Sequence, residues 1–102
     1  MRKFLLLLSI SLFTTIAYSQ TGNIRGFVYD KNSAEPIMFC NVILKGTTIG
    51  ASTDINGMYN ISKVLVGDYT LMVTYIGYDT STVNITLKKG KVITQNLEIS
   101  ES

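Results

Sequence analysis

From Ile24 onward, apolar and polar residues alternate with a period of two. Ile24, Gly26 and Val28 alternate with Arg25, Phe27 and Tyr29. Val42 and Leu44 alternate with Ile43 and Lys45, and Tyr59 and Ile61 with Met58, Asn60 and Ser62. Tyr69, Leu71, Val73 and Tyr75 form a fourth such row, Val83, Ile85 and Leu87 a fifth. Ile93, Leu97 and Ile99 close the series, with Gln95 interrupting it. Successive side chains of an extended strand point to opposite faces, so each run can send one row into a shared core. The threonine-rich rows are expected to face water, since Thr is β-branched yet polar. Turn signals separate the runs: Asp30-Lys31-Asn32-Ser33, Asp54-Ile55-Asn56-Gly57, Val66-Gly67-Asp68, Ile76-Gly77-Tyr78-Asp79 and Lys88-Lys89-Gly90-Lys91. Nothing after Gln20 keeps a helical period. With the short run before the Asp54 turn these rows make seven short strands, and strands at this spacing predict an all-β sandwich. A transmembrane barrel needs at least eight strands of ~9–11 residues, and several of these runs are too short.

The first 19 residues have a different character. Arg2 and Lys3 precede an apolar stretch from Phe4 to Ile16, and Ala17-Tyr18-Ser19 places small residues before a cut. This is the layout of a secretory signal peptide, with cleavage expected before Gln20. The alternative, a membrane anchor, asks for ~20 apolar residues, more than this stretch supplies. No cysteine sits near the cut, so a lipid-anchored terminus is not expected. The division is therefore 1–19 signal peptide and 20–102 one domain. A domain this small buries only about 60–65% of its unfolded surface.

Removing Arg2 and Lys3 leaves seven basic residues against seven acidic ones. That balance gives no case for nucleic acid or an anionic membrane. The single cysteine, Cys40, excludes an internal disulfide and a cysteine-based zinc site. It lies in the apolar run Ile37-Met38-Phe39-Cys40-Asn41-Val42, where a small buried residue is the expected reading over a reactive thiol. There is no histidine, which removes the commonest general base and every Ser-His-Asp or Cys-His arrangement. Asp30, Asp54, Asp68 and Asp79 each sit in a turn signal, where Asp is expected for backbone reasons.

The run from Lys45 to Tyr59 holds Asp54-Ile55-Asn56-Gly57, a turn in which Asp54 can accept a backbone N–H two residues on and Gly57 can turn left-handed. A calcium loop would end in a glutamate at twelve positions along; position 65 is Leu, so that template fails. Phe27, Tyr29 and Tyr78 lie off the core rows or at turns, where they can stack on a sugar or seat a partner, or simply pack a corner. An unpaired sheet edge offers a second binding route. Lys88, Lys89 and Lys91, beside the last strand, can guard such an edge.

An ordered set of pieces carries a family resemblance: Ile24-Arg25-Gly26-Phe27-Val28-Tyr29-Asp30, Glu35-Pro36-Ile37, Val42 to Gly46, Thr47-Thr48-Ile49-Gly50, Thr53-Asp54-Ile55-Asn56-Gly57-Met58-Tyr59, Gly67-Asp68-Tyr69-Thr70-Leu71 and Ile76-Gly77-Tyr78. Across about residues 22–99 the chain resembles the carboxypeptidase regulatory-like domain. The resemblance implies a Greek-key β-sandwich of the transthyretin (prealbumin) kind, with no catalytic residues, cofactor or metal. It implies structural roles for Gly26, Asp30, Pro36, Gly46, Thr47, Gly50, Thr53, Asp54, Gly57, Tyr59, Gly67, Tyr69, Gly77 and Tyr78. The family usually has small residues where this chain has Met38-Phe39-Cys40, a departure expected to alter packing at the start of the second strand.

In the family, the module follows the signal peptide of exported proteins of Bacteroidetes-type bacteria, many of them TonB-dependent, SusC-like outer-membrane receptors. The expectation is thus a non-catalytic module in the periplasm or at the outer membrane, docking an envelope protein or a downstream receptor plug and barrel. Two alternatives stand beside it: a free-standing secreted sandwich that binds a glycan or protein, and an accessory domain of an exported peptidase.

Overall fold

The computed structural model describes residues 20–102; the expected signal peptide lies outside the described residues. These residues build eight strands: β1 (Thr21–Asp30), β2 (Asn41–Leu44), β3 (Gly50–Ser52), β4 (Met58–Leu65), β5 (Gly67–Thr74), β6 (Ser81–Leu87), β7 (Val92–Thr94) and β8 (Leu97–Ile99). They form two four-stranded sheets. One has the order β4-β1-β7, with β8 also on β1; the other has the order β3-β2-β5-β6. Among the described residues the architecture is the all-β, helix-free sandwich expected, of the Greek-key, transthyretin-like kind.

Strand count is where the structure departs from the alternation pattern. The last expected strand is divided in two. Both halves run parallel to β1, Asn23↔Val92 to Arg25↔Thr94 and then Val28↔Leu97 to Asp30↔Ile99. The offset is the same on both sides, so nothing is inserted at Gln95-Asn96. What changes is the bonding: Gln95 donates its N–H to the Arg25 carbonyl (2.8 Å), while the Phe27 N–H turns to the Asn96 side-chain oxygen (3.0 Å). The Tyr59 hydroxyl donates to the displaced Gln95 carbonyl. Gly26 faces this crossing, and a Cβ there would run into the Gln95 backbone.

The core rows are largely those of the alternation. Ile24 and Val28 meet Tyr59, Ile61, Leu97 and Ile99 from one sheet, and Val42, Leu44, Leu71, Val73, Ile85 and Leu87 from the other, all buried. Full burial of such a side chain contributes about 1.5–3 kcal/mol before chain entropy is set against it. In β4 the alternation has to be reset, because a strict period of two would turn Lys63 inward. A bulge does this: the β1–β4 register shifts between Gly22 and Ile24, Lys63 adopts φ 56°, and its N–H is held by the Asn23 side-chain oxygen at 3.0 Å. Val64 takes the buried place and Lys63 stays outside.

Candidate docking surface

Asp side chains organise two turns in the same way. The Asp54 carboxylate accepts the N–H of Asn56 (2.9 Å) and of Met58 (3.0 Å), and Gly57 follows at φ +78°. A side chain on Gly57 would also press on Pro36, whose Cβ lies 2.8 Å from the position a Cβ would take. Asp30 accepts the N–H of Asn32 (2.8 Å) and of Ser33 (3.0 Å), and its second oxygen accepts the Tyr78 hydroxyl at 2.6 Å. These three bonds hold the Asp30 carboxyl below its ordinary value, that from Tyr78 most strongly. The same bond, with burial and the charges of Asp30 and Glu101 added, pushes the Tyr78 phenol up to about 12.

Buried Thr53 ties down a second loop. Its hydroxyl donates to the Ile37 carbonyl (2.7 Å) and accepts the Cys40 N–H (3.0 Å). Its backbone bonds Cys40 and Phe39, both at 3.0 Å. Cys40 is a buried free thiol, and that burial raises its pKa. The loop between these ties is forced outward. Phe39 sits at φ 59°, a left-handed conformation that costs a non-glycine residue roughly 1–2 kcal/mol. Phe39 is 67% exposed, and Met38 beside it is 43% exposed. The expected change of packing at these residues therefore takes the form of an apolar projection.

Across from this loop, the Tyr75–Tyr78 turn follows β5. Tyr78 donates its N–H to the Tyr75 carbonyl (3.1 Å), and the two rings lie 5.6 Å apart at 47°. Ile76, at the tip, is 94% exposed, and Tyr75 is 37% exposed. Phe39, Asn41, Thr74, Tyr75 and Ile76 together line an open cleft of about 300 Å³. Asn41 and Thr74 are its floor, paired across β2 and β5. The result is an apolar ledge with a polar floor, its two walls held by Thr53 and by the Asp30–Tyr78 bond. Lone exposed hydrophobes are ordinary on a protein surface; several sharing one cleft are the pattern of an interaction site.

The structural-motif residues fall at the two ends of the sandwich and at the β7–β8 interruption between them. Asp30, Pro36, Thr53, Asp54, Gly57, Gly77 and Tyr78 gather at the ledge end. Gly46, Thr47 and Gly50 build the β2–β3 turn, where the Thr47 hydroxyl donates to the Leu44 carbonyl at 2.7 Å. Gly67 opens β5, and Tyr69 donates its hydroxyl to the Leu65 carbonyl at 2.7 Å. Gly26 and Tyr59 meet at the β7–β8 interruption. Phe27 and Tyr29 stack at 6.0 Å on the outer face of β1. Sequence reasoning missed Ile76 and Tyr75 as a surface; the available signal was an apolar pair bounded by Thr74 and Gly77 at a strand end. Among the described residues, no three His, Cys, Asp or Glu side chains are arranged to hold a metal ion.

A family model described as the CarboxypepD_reg-like domain matches residues 24–102. The matched family is regulatory-like and non-catalytic. The TonB-dependent receptor SusC of Bacteroides thetaiotaomicron is 33% identical over 100 residues, 97% of this chain and 10% of the receptor. The TonB-dependent receptor P39 of Formosa agariphila is 37% identical over 95 residues, 93% of this chain and 9% of the receptor. The chain thus spans about a tenth of the length of these curated relatives. Among solved structures, a chain of a type II cohesin–X-dockerin complex from Acetivibrio cellulolyticus superposes with a TM-score of 0.65 at 24% identity, over 78% of this chain and 58% of that one. That likeness is one of fold.

Proposed function

Because this chain belongs to the CarboxypepD_reg-like domain family, we propose that it is an exported interaction module that docks a protein of the cell envelope through the Phe39–Ile76 ledge. The observation that carries this reading is the ledge itself: Phe39 is held in a left-handed conformation with its ring toward water, opposite the exposed Ile76. A strained residue persists where its surroundings enforce it, and such residues cluster at binding sites. The relatives supply the context. Both are TonB-dependent receptors, which supports a periplasmic or outer-membrane location and a role as one module of a larger uptake receptor. Residues 1–19 fit this as a cleaved leader.

The test is site-specific photocrosslinking in intact cells, with the probe at Phe39 or at Ile76 and a control at Asn60, an exposed position on β4. One envelope protein captured from both ledge positions and not from Asn60 is the expected result. Equal labelling from all three positions overturns the reading.

A second reading rests on the stacked Phe27–Tyr29 pair, a flat aromatic surface of the kind that receives a sugar ring. Glycan binding abolished by Tyr29→Ala and untouched by changes at the ledge would favour it.

A further inference from the structure

The two sheets end in edges of very unequal exposure to pairing. β3, β7 and β8 are each three residues long, and β7 and β8 are separated by the Gln95-Asn96 interruption. β4 is longer but carries the Lys63 bulge. Short strands, bulges and lysines are the devices that keep a sheet edge from acquiring a neighbour. β6 has none of them. It is seven residues long, Ser81-Thr82-Val83-Asn84-Ile85-Thr86-Leu87, without proline or charge. Its register with β5 is unbroken from Gly67↔Leu87 to Val73↔Ser81. Among the described residues, no backbone hydrogen bond joins Ser81–Leu87 to anything but that ladder. Every second residue of such a strand points its N–H and C=O away from the ladder.

We propose that β6 pairs antiparallel with β6 of a second copy, about a two-fold axis through Asn84, so that the β3-β2-β5-β6 sheets of the two copies become one continuous sheet. The strand is complementary to itself in this register. Asn84 meets Asn84, Thr82 meets Thr86 on the outer face, and Val83 meets Ile85 on the core side. Both rows are pairs that stabilise neighbouring strands. The ends match in charge. Continuing the count, Lys89 beyond one strand comes opposite Asp79 before the other, and Lys88 opposite Thr80; all four are exposed. Lys89, expected with Lys88 to guard an edge against indiscriminate pairing, here favours a partner strand that brings an acid, Asp79, to meet it. Edge pairing alone buries less surface than the ~1,200 Å² of a stable complex, so this is a weak dimer, favoured where copies are concentrated. The pairing is independent of the ledge, and either can fail without the other.

Disulfide trapping on the chain expressed in full and recovered after export tests the register. Opposed residues of an antiparallel pair lie about 4.5–5.5 Å apart at Cα, within disulfide reach. Asn84→Cys should form a linked dimer on mild oxidation. Thr82→Cys and Thr86→Cys should link when mixed and little when alone. All three positions are exposed, so the fold tolerates the changes, and circular dichroism checks it. In sedimentation equilibrium, Lys89→Asp should weaken dimerisation several-fold, and Lys89→Asp with Asp79→Lys should restore it. A monomer at millimolar concentration overturns the proposal. So does Asn84→Cys linking no faster than Asn60→Cys, or β6 cysteines linking only to a different protein.

Discussion

Asp30 and Tyr78 stand 48 positions apart and share one short hydrogen bond. The bond makes stability depend on pH at both extremes. The Asp30 carboxyl titrates lower in the folded chain than unfolded, so its contribution is present above the ordinary value of 3.8 and is lost as the pH falls through the folded value. The Tyr78 phenol moves the other way, from 10.0 to about 12. Its contribution is complete below 10.0 and disappears as the pH rises toward about 12. Thermal melts across pH should show both slopes, and Tyr78→Phe should flatten each in part, the buried Tyr59 phenol and Cys40 thiol, also raised by burial, keeping the rest of the alkaline one. A variant with unchanged slopes would mean that the bond does not form in solution. At Phe39, glycine relieves the left-handed backbone at the expense of a more flexible unfolded chain. Phe39→Gly should therefore melt within about 1 kcal/mol of the parent, on the stable side, while losing capture at the ledge. A melt that drops sharply would show that the ring packs inward.

At the scale of elements, side chains do much of the work that backbone ladders usually do. Asn96 supplies the acceptor for Phe27 across the β7–β8 interruption, Asn23 the acceptor for the Lys63 bulge, and Thr53 both partners of the Ile37–Cys40 loop. Thr53→Val keeps the shape and removes the hydroxyl, leaving a buried N–H and carbonyl unmatched. A loss of about 1–3 kcal/mol is expected in urea titration, with faster amide exchange at Cys40. Gly26→Ala should cost about 1–3 kcal/mol or more, because the added methyl meets the Gln95 backbone and cannot be accommodated by a rotamer change. An unchanged midpoint for Gly26→Ala would show that β7 and β8 can move off β1 freely.

For the molecule as a whole, export and assembly follow from different parts of the chain. If the leader reading holds, the periplasmic form begins at Gln20, which mass spectrometry of the recovered protein checks directly. A species retaining Met1 would favour the anchor. The ledge and the β6 edge then lie on different parts of the sandwich surface, lined by different residues. A single module could hold an envelope partner and a second copy at once.

Strand positions, the inward rows and the Asp54 turn could all be read along the chain, since each depends on neighbours within a few residues: the two-residue pleat, or a carboxylate reaching its own backbone. Gly26 and Tyr59 could be picked out as special residues, but not that both serve the Gln95 crossing. The splitting of the last strand, the β4 bulge and the outward turn of Phe39 were not written in any local pattern. Each arises where segments distant in sequence must share one backbone hydrogen-bond network, and the geometry of that network exists only after the two sheets have closed on each other. The docking ledge belongs to the same class: Phe39 and Ile76 become neighbours because β2 pairs with β5, a pairing that alternation alone leaves undetermined.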